Sequence, residues 1–217
     1  SKRQLIHPFD DMHVIAGQGT IGMEIIRQMS EPIDAIFIAV GGGGLISGIG
    51  CYIKSIRPDI KIIGVQTTDS DAMIRSIENG KRIKLKHVGI FSDGTAVKQV
   101  GTETFKLAKI VVDDFCIVSA DEICAATRDI FEDTRTIQEP AGAMALAGLK
   151  KYVSVNGNKQ KLDNLVAITC GANVNFDRLR LIAERSELGE NKEALLAISL
   201  PEQRGSFLKL CETLGNR

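Results

Sequence analysis

Short apolar runs along the chain alternate with longer stretches in which apolar residues recur at helical spacing. Residues 34–40 (DAIFIAV) are such a run, rich in β-branched and aromatic side chains, and predict a strand buried on both faces of a parallel sheet. Four glycines end it. Leu45, Ile49, Ile53 and Ile56 then follow at helical spacing until Arg57-Pro58 stops the pattern. The same rhythm predicts strands over residues 61–66, 115–119 and 164–169, and helices over 70–79, 120–132 and 141–153. Such alternation implies an α/β protein with a doubly wound, mostly parallel sheet.

The pattern lapses between Gly80 and Gly101, where a Lys-rich stretch and Phe91-Ser92-Asp93-Gly94 predict a loop or excursion. It changes again near Gly189. Beyond that point residues 194–200 (ALLAISL) predict a strand, residues 201–205 a turn, and Phe207, Leu210 and Leu214 a short helix opened by Ser206. One strand and one helix are too little to bury a core of their own. The expected organisation is therefore one domain over residues 1–188 and the start of a second over 189–217.

Two glycine motifs carry candidate chemistry. Gly17-Gln18-Gly19-Thr20-Ile21-Gly22 is a literal G-x-G-x-x-G, the fingerprint of a dinucleotide-binding turn. That fingerprint also needs a following strand ending in an acidic residue, and the strand here ends in Val40-Gly41. A plain strand-to-helix turn is the alternative. Gly41-Gly42-Gly43-Gly44-Leu45 lies between a strand and a helix and lacks the Lys of a Walker A loop. Four such glycines let backbone N–H groups converge on an anion at a helix N-terminus, which makes a phosphate cup. A close strand–helix crossing would demand small residues too, and the motif alone supports both readings.

Composition narrows the partners. The 27 Lys and Arg balance 27 Asp and Glu, and no basic run exceeds two residues, so neither nucleic acid nor an anionic membrane is an expected partner. Residues 35–53 carry no charge and are long enough to span a bilayer, but six of the nineteen are glycine. Each would cost a helix interior about 1 kcal/mol relative to Ala, which argues against a span. The five cysteines, Cys51, Cys116, Cys124, Cys170 and Cys211, are odd in number and lack metal-ligand spacing; they are expected to be reduced intracellular thiols. His7, His13 and His87 show no partner spacing either.

The glycine cup together with Asp93-Gly94-Thr95-Ala96-Val97, Glu139-Pro140-Ala141-Gly142 and Thr169-Cys170-Gly171-Ala172-Asn173 resembles the fold type II pyridoxal-phosphate enzymes, and among them the biosynthetic L-threonine dehydratases. The likeness runs from Val14 past Asn173 to the turn before Phe207. It implies pyridoxal 5'-phosphate as cofactor, with its phosphate on Gly41, Gly42, Gly43, Gly44 and Leu45. Cys170, where these enzymes more often carry Ser, would face the pyridine nitrogen; a neutral partner there suits β-elimination better than transamination. Glu139 and Asp93-Gly94 would lie near the cofactor by the same resemblance. Relatives with a metal have an acidic residue where Gln66 stands, and Ala72 offers no carboxylate, so no metal is expected.

The resemblance further implies conversion of L-threonine to 2-oxobutanoate and ammonia, the first step of isoleucine biosynthesis, in the cytoplasm or a plastid stroma. It implies a homo-oligomer, a tetramer, and an ACT-like regulatory domain responding to isoleucine, whose start residues 193–217 resemble. The Schiff-base lysine of this chemistry sits in a Ser-aromatic-Lys motif upstream of the cup, and no such motif occurs in these 217 residues. Ser206-Phe207-Leu208-Lys209 is a poor match on the wrong side. With Ser1 at the start, the expectation is an inactive fragment of the parent enzyme. Rival readings are a serine dehydratase or racemase on the same scaffold, a dinucleotide-binding oxidoreductase module, and a non-catalytic regulatory fragment.

Overall fold

The computed structural model describes residues 5–156, 164–190 and 192–215. Four strands, β1 (Ala35–Ala39), β2 (Lys61–Thr67), β3 (Asp114–Val118) and β4 (Leu165–Ala167), form one parallel sheet in the order β3-β2-β1-β4. Ala35 is in register with Lys61 on one side and Leu165 on the other, so β1 is central. Its five residues are all buried, as an apolar run in a sheet covered on both faces should be.

Alternate side chains of β1 feed two cores. Ile36 and Ile38 pack with Ile62 and with Ile46, Ile49 and Ile53 of α2 (Gly44–Ile56). Phe37, Ile63 and Val65 face the opposite side, against Ile123 and Ile130 of α5 (Ala120–Thr134) and Met144 of α6 (Pro140–Asn156). Helices on both faces make the sheet doubly wound, as the alternation predicts. Local signals close the ends: Ser119 and Glu122 form a reciprocal capping box on α5, and Pro140 occupies the first position of α6, where its missing N–H costs nothing. The short α3 (Ala72–Glu78) follows β2.

The first glycine motif departs from both of its readings. Residues 17–22 lie inside α1 (Met12–Gln28), which Asp11 caps by accepting the N–H groups of His13 and Val14. They form neither a nucleotide loop nor a strand-to-helix turn. Their use is a close helix crossing: a Cβ on Gly19 would lie 3.2 Å from the Gly48 carbonyl oxygen, and one on Gly48 would lie 2.2 Å from that of Ile15.

Two helices lie where no apolar rhythm predicts them. In α4 (Thr102–Val111) the buried face is Thr104, Ala108 and Val111, too small and polar to register as a stripe. In α7 (Arg178–Gly189) only Ile182 and Ser186 are buried, and the helix is held on α5 by charge: Arg185 to Asp121, and Arg128 to Glu187 and Glu190. The strand expected over residues 194–200 is not formed, because among the described residues no strand lies beside it to accept a ladder. Helix α8 (Ser206–Gly215) does form, with no buried residue.

Candidate functional site

The carboxyl ends of the parallel strands are where an open α/β sheet presents its ligand crevice. At that edge β1 runs through Val40 into the glycine loop and on to α2. Gln66, buried at the end of β2, holds this junction: its amide nitrogen donates to the carbonyls of Val40 at 3.0 Å and Ser70 at 3.1 Å, and its oxygen accepts the Ile74 N–H. The side chain is spent on backbone.

Each loop glycine meets a close neighbour. A Cβ on Gly41 would lie 3.0 Å from the Thr95 backbone, one on Gly42 would fall 2.2 Å from the Phe9 ring, and one on Gly44 would lie 3.1 Å from Phe9 Cβ. Gly43 has φ +98°, a left-handed conformation suited to glycine, and its Cβ would also strike Met73. Packing alone therefore requires small residues here. The case for an anion rests on the amides. Among the described residues no acceptor pairs with the N–H groups of Gly41, Gly42, Gly43, Gly44 or Leu45, which stand at the start of a 13-residue helix. All five residues line one cavity.

That cavity holds about 290 Å³, and its other walls include Phe9, Gly94, Thr95, Glu139 and Cys170. Its volume falls just below the roughly 300–1,000 Å³ usual for small-molecule sites. The motifs around residues 41–45, 93–97, 139–142 and 169–173, far apart in sequence, thus meet in one place. Cys170 is reached by the chain leaving β4, and its approach to α6 is close: a Cβ on Gly142 would lie 2.0 Å from the Cys170 carbonyl oxygen. Glu139 precedes α6 and anchors the same loop. Its N–H donates to the Gly171 carbonyl at 3.0 Å, and its carboxylate accepts the Asn173 N–H at 2.9 Å.

Partial burial, and then the nearby Glu139 carboxylate, push the Cys170 thiol above its ordinary range, so it is a neutral thiol at neutral pH. It is nonetheless one of two exposed cysteines, the other being Cys211. Asp93 lies in a single 3-10 turn (Asp93–Thr95) beside the cavity, with Thr95 tied by its hydroxyl to Ser92. Pro8 and Phe9 were not indicated by any sequence pattern, because nothing local marks a residue that packs on a loop more than thirty positions away. Among the described residues no cluster of three or more His, Cys, Asp or Glu is arranged to hold a metal ion, and no helix is long and apolar enough to cross a membrane.

The cavity therefore offers an end lined by unpaired amides and, elsewhere on its wall, Cys170 with its neutral thiol. Residues 2–171 match the family described as pyridoxal-phosphate dependent enzyme. The chain belongs to that family. It is 54% identical over 212 residues to the L-threonine dehydratase biosynthetic IlvA of Burkholderia multivorans, covering 98% of this chain and 41% of that protein. It is 56% identical over 205 residues to the mitochondrial threonine dehydratase of Schizosaccharomyces pombe, covering 94% of this chain and 34% of that one. It spans less than half the length of either relative. Among solved structures, the processed form of threonine deaminase isoform 2 from Solanum lycopersicum superposes with a TM-score of 0.81 at 45% identity, over 84% of this chain and 50% of that chain. A serine racemase from Dictyostelium discoideum gives 0.72 at 36%, over 80% and 54%. The family's cofactor carries a phosphate and an aromatic ring nitrogen; five unpaired amides, with Cys170 on the wall of the same cavity, are a donor set that fits both groups.

Proposed function

We propose that this chain forms the phosphate-binding and ring-facing side of a pyridoxal-phosphate-dependent L-threonine dehydratase, which converts L-threonine to 2-oxobutanoate and ammonia. The observation that carries the reading is the single cavity shared by the unpaired amides of residues 41–45, Glu139 and Cys170. When bound, the cofactor supplies the electron sink for cleavage at the amino acid's α and β carbons.

The chain's own residues bind and orient. The amides of Gly41, Gly42, Gly43, Gly44 and Leu45, aided by the α2 dipole, hold the phosphate without needing a cationic side chain. Cys170 meets the ring nitrogen as a neutral thiol. A neutral partner gives that nitrogen no charge to favour its protonation, which moderates the electron demand of the ring. Glu139 positions the Cys170 loop through the Asn173 N–H. Proton removal from the substrate is assigned to a lysine outside these 217 residues, and the isolated chain is proposed to be inactive. Residues 189–217 are proposed as the beginning of a regulatory unit responsive to isoleucine, in a homo-oligomer.

The test is alkylation of the two exposed cysteines, read by mass spectrometry. Pyridoxal 5'-phosphate should protect Cys170 and leave Cys211 reactive, while pyridoxal without its phosphate should protect far less. Equal labelling of Cys170 with and without the cofactor would sink the proposal. Threonine and cofactor added to the isolated chain should yield no 2-oxobutanoate.

A further inference from the structure

The Gly42 carbonyl is unusual in this loop in having two donors. The Thr104 hydroxyl, from the first turn of α4, donates to it at 2.7 Å, and the N–H of Gly101, just ahead of that helix, at 3.2 Å. A trans peptide is planar, with its C=O and N–H pointing in opposite senses. Turning the Gly42 oxygen toward α4 therefore turns the Gly43 N–H away from it. That start of α4 is itself held from a distance: the Asp10 carboxylate accepts the N–H groups of Thr102, Glu103 and Thr104 at 2.7, 2.8 and 3.3 Å. Ser47 of α2 closes the ring by donating its hydroxyl to the Thr104 carbonyl at 3.1 Å.

We infer that Asp10 and Thr104 are positioning residues that set the orientation of the Gly42–Gly43 peptide, and with it the amide that the phosphate end of the site presents. Asp10 caps α4, α4 presents Thr104, and Thr104 aims the loop. No side chain in this relay lines the cavity, so its effect on binding is exerted through backbone direction alone. The ligand half of the inference rests on the proposed cofactor site; the ordering half does not.

Both halves are read on the ¹⁵N-labelled 217-residue chain. The heteronuclear NOE of the Gly42 and Gly43 amides reports loop order without ligand, and titration with inorganic phosphate and with pyridoxal 5'-phosphate reports binding. Thr104→Val keeps the shape and removes the donor. It should lower both NOE values and weaken phosphate binding about five- to tenfold, roughly the weight of one hydrogen bond. Thr104→Ser, which restores the hydroxyl, should return both to within about twofold of the parent, whereas a residue that merely filled space would not be rescued this way. Asp10→Asn, which keeps an acceptor and loses the charge, should act in the same direction more weakly, and it carries the comparison if Thr104→Val fails to fold. Unchanged loop order in Thr104→Val, or in Asp10→Asn where that variant stands in, overturns the inference. Loosening of the loop in a chain that binds neither probe would keep the relay and remove the cofactor reading.

Discussion

The ring of Phe9 occupies the space that a side chain on Gly42 would need. The contact joins a segment ahead of α1 to the loop after β1, and it makes the loop's composition a packing requirement whatever the loop binds. Gly42→Ala should force the ring aside and destabilise the fold by about 1–3 kcal/mol, the usual cost of overpacking. Combining it with Phe9→Ala should cost less than the two single changes added together, which thermal unfolding of the four-member cycle would measure.

Gly43 and Gly17 give opposite expectations for the same substitution. Gly43 has φ +98° and a Cβ there would lie 2.6 Å from Met73, so Gly43→Ala is destabilising on two counts. Gly17 is exposed on α1 with nothing within 4 Å of an added Cβ. Gly17→Ala should stabilise by about 0.5–1 kcal/mol through helix propensity. Denaturant midpoints of the two variants should fall on either side of the parent.

Asp10 makes stability sensitive to acid. Burial acts to raise its carboxyl, but the three α4 N–H groups, with help from His7, outweigh that and hold it below the ordinary carboxylate range. A group with a depressed folded pKa stabilises the fold fully above its unfolded value and loses that contribution as pH falls through the folded one. The expected window opens below about pH 4. Asp10→Asn should flatten this part of a stability-versus-pH curve and leave the region above it parallel to the parent.

Cys170 is the group whose chemistry is most easily followed. Its raised pKa means that alkylation should be slower at neutral pH than that of an ordinary thiol, and should quicken as rising pH forms the thiolate. Cys170→Ser, which exchanges a weak S–H donor for a hydroxyl, should retain pyridoxal 5'-phosphate at least as well as the parent, as judged by absorbance after gel filtration. Loss of binding in that variant would argue that the thiol is required as such.

Much of this was legible from residue order because the strands of a doubly wound sheet are buried on both faces and announce themselves as apolar runs. Residues 34–40 and 61–66 show this well. The place of the glycine loop was legible for a related reason: four glycines between a strand and a helix have few structural uses. What escaped was anything depending on distance in the chain. Thr104 reaches Gly42 across 62 residues and Asp10 reaches Thr104 across 94, and no periodicity encodes such contacts. Helix α7 escaped because charge rather than an apolar stripe holds it to α5. The G-x-G-x-x-G of residues 17–22 misled for the opposite reason, since spacing suited to a phosphate turn is also suited to a helix that must approach another closely.

That approach reaches beyond the two helices. Gly48 lies one turn into α2 from the loop glycines, and any side chain there would have to push α1 outward or carry α2 the other way. The glycine loop is therefore calibrated from behind: the thinness of a helix–helix seam sets how far forward it stands. A single methyl group added on the far side of α2 would be felt as a change of shape in a cavity it never touches.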